Sequence, residues 1–108
     1  MVFNEIIQVI HNWFEHLQKE EYASNMRIEV VKDEADCFHV FFETLNYISE
    51  LMVHEPYFAP YRWVSFQVMS VKKPVSSSPV FTYYDSSSDT TEEMICQLNK
   101  GIKITICS

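Results

Sequence analysis

Apolar residues at the start of the chain recur every three or four positions, and this repeat constrains the fold more than any other feature of the sequence. The spacing predicts an amphipathic helix from about residue 2 to residue 23. Its apolar stripe consists of Phe3, Ile6, Ile7, Ile10, Trp13, Phe14 and Leu17. The stripe is too wide and too aromatic for a two-stranded coiled coil, in which Leu and β-branched residues dominate the seam. We therefore expect the helix to cover a sheet.

After residue 25 the pattern changes to an alternation of apolar and polar residues, which is typical of strands with one buried face. Residues 45–55 fit both a helix and a strand. We interpret them as a strand that follows a turn at Leu45 and Asn46, since Asn tolerates positive φ. The predicted strands are 26–30, 37–44, 45–55, 64–69 and 80–84.

A second helix is predicted near the end of the sequence. Ser88, Asp89 or Thr90 can cap it, and two glutamates follow in the first turn, where the helix dipole favours negative charge. Gly101, the single glycine, is expected just after the last helical residue in left-handed conformation. Residues 102–107 alternate and are β-branched, so a final strand is an option.

These elements predict one α+β domain that spans residues 1–108. The predicted order is α-β-β-β-β-α, with the optional β at the end. We expect a two-layer fold, in which the N-terminal and C-terminal helices pack on one face of an antiparallel sheet of four to five strands. The residues expected to be buried between the layers are Phe3, Ile6, Ile10, Trp13, Phe14, Leu17, Val64, Phe66 and Val68.

The net charge of −7 comes from the first half of the chain. Residues 1–55 hold eleven acids and three bases, whereas residues 56–108 hold four acids and five bases. Such a field repels the phosphates of nucleic acids and anionic lipids, and it attracts a basic protein. We therefore expect neither nucleic acid nor membrane as a partner. The alternative is that the acids only keep the protein soluble.

Targeting signals are not expected in this sequence. The first residues have no basic segment before an apolar run, and no apolar stretch approaches the roughly 18 residues of a membrane span. Cys37, Cys96 and Cys107 are odd in number and have no CxxC spacing. The sequence therefore predicts a cytoplasmic protein with reduced thiols.

Known catalytic and cofactor motifs are missing from the sequence. Phosphate-binding loops and nucleophile elbows require several glycines at fixed offsets, and the chain has one. Cys37 and His39 share a strand face, but one pair is too few for a zinc site. We predict no metal, no cofactor and no catalytic residue. A weaker alternative is acid–base catalysis by Glu43, Glu50 or His39.

Residues 55–63 hold four aromatic residues and an arginine around two prolines, which favours a loop. Tyr, Trp and Arg contribute most of the binding energy at many protein interfaces. The predicted partner-binding residues are Glu55, Tyr57, Phe58, Tyr61, Arg62 and Trp63. The alternative is that these rings close one end of the core.

Three functions remain open from the sequence. The first is a non-catalytic, acidic protein-interaction or regulatory module with a basic protein partner, where a sheet edge or the aromatic loop would also allow a homodimer. The second is a small-molecule binding module with an aromatic-lined pocket between sheet and helix. The third is an enzyme that uses a carboxylate of the sheet.

Overall fold

Five antiparallel strands form one sheet in which each strand pairs with the next one in the chain. In the computed structural model the described residues are 3–55, 63–71, 78–86 and 88–107. The elements are α1 (Phe3–Gln18), a 3₁₀ helix (Glu21–Asn25), β1 (Arg27–Glu34), β2 (Cys37–Glu43), β3 (Tyr47–His54), β4 (Val64–Ser70), β5 (Phe81–Tyr84) and α2 (Thr91–Ile106). The predicted α+β class is confirmed, with an antiparallel sheet between an N-terminal and a C-terminal helix. The sheet has five strands, the upper end of the predicted four to five, so the described elements run α-β-β-β-β-β-α.

Both helices pack on one face of the sheet, which we call the inner face. Alternate residues of β2, β3 and β4 point to it and are buried, because side chains of a strand alternate between the two faces. Phe14 of α1 meets the rings of Phe38 and Phe42 edge to face, with centroids 5.3 and 6.0 Å apart. No helix in the described part of the chain is long and apolar enough to cross a membrane.

Within the ambiguous segment 45–55, Tyr47–His54 is a strand that follows a turn at Leu45 and Asn46, as predicted. Leu45 is 85% exposed in the connection from β2 to β3. The backbone N–H of Thr44 donates to the carbonyl of Tyr47 at 2.9 Å and closes this turn. From Tyr47 onward the chain pairs with β2 on one side and β4 on the other, which satisfies both edges of β3.

The first helix is shorter than predicted, and Trp13 is less buried. The helix ends at Gln18 because the backbone N–H groups of Lys19 and Glu20 bond three residues back, which tightens the last turn. The other eight predicted core residues are buried, but Trp13 is only partly buried. Its indole N–H needs a polar partner and donates to Oδ1 of Asn99 in α2 at 2.8 Å.

The final strand predicted for residues 102–107 is wrong, and so is the role predicted for Gly101. Helix α2 continues through Gly101 to Ile106. Gly101 does not have a left-handed φ; it is buried against the ring of Phe66, and a Cβ there would lie 2.9 Å from Cδ2 of that ring. The glycine therefore permits close approach of helix and sheet.

Hydroxyl groups fix the end of α2 to the sheet. Thr105 is buried, and its hydroxyl donates to the carbonyl of Gly101 at 2.8 Å. The buried hydroxyl of Ser49 in β3 hydrogen-bonds to the Thr105 hydroxyl, so Ser49 is the donor in that pair. Thr44 donates to the Thr105 carbonyl at 2.6 Å. These bonds satisfy polar groups that would otherwise be buried without partners.

Strand β1 forms one edge of the sheet and contains a bulge. Val30 pairs with Val40, and Lys32 pairs with His39, so Val31 is an extra residue between them. Both Val30 and Val31 are exposed. Strand β5 forms the opposite edge and pairs with β4 through four residues.

Candidate functional site

The second face of the sheet, which we call the outer face, is the candidate functional site. Neither helix packs on it, and the described ranges place no other element over it. The strand register defines its three central rows. The residues across β1 to β4 are Lys32, His39, Met52 and Ser65 in the first row, Glu29, Phe41, Glu50 and Gln67 in the second, and Arg27, Glu43, Ile48 and Met69 in the third.

Four apolar side chains occupy the centre of this face: Phe41, Ile48, Met52 and Met69. All four are partly exposed, whereas their neighbours on the inner face are fully buried. Phe41 lies diagonally across from both Ile48 and Met52, at spacings where aromatic side chains reach their neighbours. A hollow of about 260 Å³ lies beside Phe41 and Ile48. It is small for a ligand pocket, since these usually exceed roughly 300 Å³.

One tight polar pair lies within the apolar centre. Nε2 of His39 is 2.7 Å from Oε2 of Glu50 on the neighbouring strand. The His39 ring also packs against Phe41, with centroids 5.0 Å apart. The His39 side chain is 17% exposed and that of Glu50 is 42% exposed, so the carboxylate is the more accessible partner. The hydrogen bond and the ring contact together fix the orientation of the imidazole.

The charged groups along β1 form looser pairs. Arg27 lies 3.8 Å from a carboxylate oxygen of Glu29 and 3.6 Å from one of Glu43, and Lys32 lies 3.6 Å from one of Glu34. These distances exceed those of normal hydrogen bonds, and the groups are well exposed. Exposed pairs of this kind contribute little to stability. Among the described residues of β1 to β3, the outer face with Glu50 carries four carboxylates and two permanently basic side chains.

Most of the loop predicted to bind a partner lies outside the described residues. Tyr57, Phe58, Tyr61 and Arg62 belong to that segment, so their role stays a prediction. Glu55 is exposed at the end of β3. Trp63 is partly buried, and its ring contacts Phe3 edge to face at a centroid distance of 5.7 Å.

The described residues on either side of this segment, His54 and Trp63, donate hydrogen bonds through their backbone N–H groups. The N–H of His54 donates to the carbonyl of Trp63 at 3.0 Å. The N–H groups of Trp63 and Val64 both donate to Oδ1 of Asp85, at 2.7 and 2.8 Å. Asp85 is 2% exposed and lies directly after β5. This carboxylate therefore joins the start of β4 to the end of β5.

The three side chains proposed for acid–base chemistry, Glu43, Glu50 and His39, all lie on the outer face. Cys37 precedes His39 on the same face, and burial is the main cause that raises the pKa of its thiol. Nearby Asp36 and Glu34 raise this pKa further, and Lys32 lowers it in part. A raised pKa keeps the thiol protonated and disfavours Cys37 as a nucleophile.

Metal binding has no support in the described part of the molecule, where no group of three or more His, Cys, Asp and Glu side chains is arranged around a common point. All three cysteines are free of disulfide bonds. Comparisons with known proteins bring no further information. No family model, curated protein or solved structure matches the chain. The function must therefore be argued from the geometry of this chain.

The outer face was not predicted as a candidate site from the sequence, although the residue pattern of β2 pointed to it. Residues 37–42 are apolar or aromatic at most positions. A strand with one solvent-exposed face would instead alternate strictly between apolar and polar residues. Phe41 is the clearest exception, since it falls on the outer side of β2 between His39 and Glu43. Apolar residues on both faces of a strand indicate either two covered faces or one face kept for contact.

Proposed function

We propose that this chain is a non-catalytic protein-binding module that binds a basic protein partner on the outer face of its sheet. The observation that carries the proposal is the group of four partly exposed apolar residues around Phe41, with the carboxylates of Glu29, Glu43 and Glu50 beside it. A catalytic role is not part of the proposal, and a cytoplasmic location stays a prediction.

The apolar centre would supply the affinity of such a complex. Phe41 and Met52 keep part of their apolar surface in water, and a partner that covers them removes that surface. Methionine side chains adapt their shape to a partner, which suits a contact surface. An apolar centre with a polar rim is also the usual arrangement of protein interfaces.

The carboxylates would favour a partner whose contact surface is positively charged. Glu29 and Glu34 are exposed and Glu43 is partly exposed. Their cations lie 3.6 to 3.8 Å away, beyond hydrogen-bond distance. Lys or Arg side chains of a partner can exchange with such loose pairs at little cost. The net charge of −7 adds a long-range field that accelerates encounter with a basic surface.

The test is affinity capture with matched charge variants. Glu43→Lys reverses one charge on the outer face, and Glu15→Lys makes the same change at an exposed position of α1. The proposal expects wild type and Glu15→Lys to retain a basic protein that Glu43→Lys loses, as measured by quantitative mass spectrometry. Phe41→Ser should lose the same protein. A binder retained equally by all four baits would contradict the outer face as the site.

The bond between His39 and Glu50 favours a second candidate, an acid–base enzyme, because the imidazole is held in one orientation by a carboxylate. The candidate reaction would need a substrate that reaches the accessible Glu50 oxygen. An activity screen in which His39→Gln and Glu50→Gln both retain full turnover would remove it. Small-molecule binding stays a sequence prediction, for which a thermal-shift screen is the direct measurement.

A further inference from the structure

Three neighbouring strands build the hollow of about 260 Å³ beside Phe41 and Ile48 on the outer face. Its lining residues are Arg27 and Glu29 of β1, Phe41 and Glu43 of β2, and Ile48 of β3. The register pairs Glu29 with Phe41 and Arg27 with Glu43, so the hollow spans two adjacent rows of this face. It is small for a whole ligand, since such pockets usually exceed roughly 300 Å³, but it has room for a single side chain of a partner.

The lining of this hollow combines an apolar surface with two carboxylates. Phe41 and Ile48 are partly exposed and form the apolar part, and Glu29 and Glu43 supply the charge. His39 packs against the Phe41 ring from the row on the other side, away from the hollow. A guanidinium prefers such surroundings, because an aromatic face attracts a cation and each carboxylate accepts charge-assisted hydrogen bonds.

Arg27 shows that a guanidinium fits between the two carboxylates. Its Nη2 lies 3.8 Å from Oε1 of Glu29, and its Nη1 lies 3.6 Å from Oε1 of Glu43. One nitrogen is therefore near each carboxylate, but both distances are longer than those of hydrogen bonds. The Arg27 side chain is 71% exposed, and pairs of such exposed groups contribute little to stability. Another guanidinium can therefore replace it at low cost.

We infer that this hollow binds one arginine side chain of the basic partner, whose guanidinium stacks on Phe41 and donates to Glu29 and Glu43. Arg27 occupies the position between the carboxylates in the free protein and turns into solvent when the partner binds. The inference rests on the proposed function and names the side chain that the outer face recognises.

Arginine suits this hollow better than lysine. Its planar group presents N–H donors in several directions and stacks on rings, whereas an ammonium is a strongly hydrated point charge. Two carboxylates on different strands, Glu29 on β1 and Glu43 on β2, require donors that point in two directions. The methylene groups of the arginine stem would contact Ile48, as long basic side chains commonly lie along apolar surface.

The probes are three capped tripeptides in which arginine, lysine or citrulline lies between two alanines. Each is titrated into isotope-labelled protein, and the chemical shifts of amide and methyl groups give the site and the Kd. The arginine peptide should shift the Phe41 amide and the Ile48 methyl signals first. The lysine peptide should bind about two- to fivefold more weakly, because an ammonium stacks less well on a ring. Citrulline has nearly the shape of arginine without its charge and should not bind measurably.

Two matched charge variants test the role of Arg27. Arg27→Ala removes the competing guanidinium, and Lys32→Ala removes one positive charge from the same strand and face but outside the hollow. Arg27→Ala should strengthen binding of the arginine peptide by roughly threefold, since two weak exposed pairs no longer compete. Lys32→Ala should keep a Kd close to that of wild type. Both residues are exposed, and the spectrum of each free variant shows directly whether it is folded.

Two further variants test the lining itself. Phe41→Leu keeps an apolar side chain but removes the ring, so the preference for arginine over lysine should disappear. Glu43→Gln should weaken binding of the arginine peptide by roughly threefold. Glu15→Gln makes the same change at an exposed position of α1 and should leave the Kd unchanged.

Three results would each overturn the inference: equal Kd values for the arginine and lysine peptides, equal strengthening by Arg27→Ala and Lys32→Ala, or shifts that map away from the hollow. These titrations need no partner protein, so they are independent of the affinity capture. If Glu43→Lys loses a captured basic protein while the arginine peptide does not bind at the hollow, only the arginine site is wrong. Peptide binding at the hollow, with a captured protein that all baits retain equally, would support the arginine site and contradict the proposed partner.

Discussion

Gly101 of α2 lies directly against the ring of Phe66 in β4, and the separation leaves no room for a side chain. Phe66 is itself fully buried at the centre of the inner face. The pair sets how closely the second helix approaches the sheet. Around it, the helix contributes three buried apolar side chains to the core, those of Met94, Leu98 and Ile102.

Gly101→Ala should lower the free energy of unfolding by about 1 to 3 kcal/mol, because overpacking against Phe66 outweighs the gain in helix propensity. Urea denaturation measures the change. The adjacent Lys100→Ala, at an exposed position, should have almost no effect. In the double variant with Phe66→Leu, the alanine should cost less than it does alone. A rise in stability for Gly101→Ala would show that the helix can move away from the sheet.

Asp85→Ala should lower the free energy of unfolding by about 2 to 4 kcal/mol, because two backbone N–H groups lose a charged acceptor in a buried place. Asp85→Asn should cost less, since its carbonyl oxygen can still accept. Hydrogen exchange at the Trp63 and Val64 amides is the site-specific measurement, and both should lose protection in the alanine variant. Unchanged protection would mean that other acceptors replace the carboxylate.

Trp13→Ala should lower the free energy of unfolding by about 3 kcal/mol, the low end for a buried aromatic, because the indole is only partly buried. Trp13→Phe keeps the edge-to-face contact with Phe42 and loses the bond to Asn99, which is worth about 1 kcal/mol. Asn99→Ala should match Trp13→Phe. Urea denaturation of the double variant is the check. If its loss in free energy of unfolding equals the sum of the two single losses, the two side chains are not coupled through this hydrogen bond.

Cys37 should be alkylated roughly tenfold more slowly than Cys96 or Cys107 at about pH 8. Because the pKa of Cys37 is raised, a smaller fraction of its thiol is ionised at this pH. The Cys37 thiol is also partly buried, whereas Cys96 and Cys107 are exposed. Iodoacetamide labelling followed by peptide mass spectrometry measures the three rates in one sample. In denaturing urea the difference should disappear. Faster labelling of Cys37 in the folded protein would indicate an activated thiol and favour a catalytic role.

Local periodicity predicted much of the fold because each element is amphipathic over its own length. Ile6 and Ile10 lie one turn apart on the buried side of α1, and Phe66 and Val68 lie two apart on the buried side of β4. Both spacings follow from backbone geometry alone. The same argument failed for residues 102–106, where Ile102 and Thr105 are the buried positions and have helical spacing. Three isoleucines at alternate positions concealed that spacing.

Features that depend on distant partners were not predictable in this way. Gly101 was interpreted from its neighbours in the chain, but its position is determined by Phe66, which lies far away in sequence. The pairing of His39 with Glu50 depends on the register of β2 and β3, and that register follows from the turn between them. The hollow of about 690 Å³ between β5 and α2 depends on how α2 packs on the sheet, and no local sequence pattern contains this information.

The bulge at Val31 limits assembly through the β1 edge of the sheet. A bulged strand that carries Lys32 and Glu34 is a poor template for a further strand. Growth of an open-ended fibre by sheet extension needs a receptive edge at both ends of every molecule. Because β1 is not receptive, such a fibre cannot grow past it, and concentrated protein is protected against polymerisation through its own sheet.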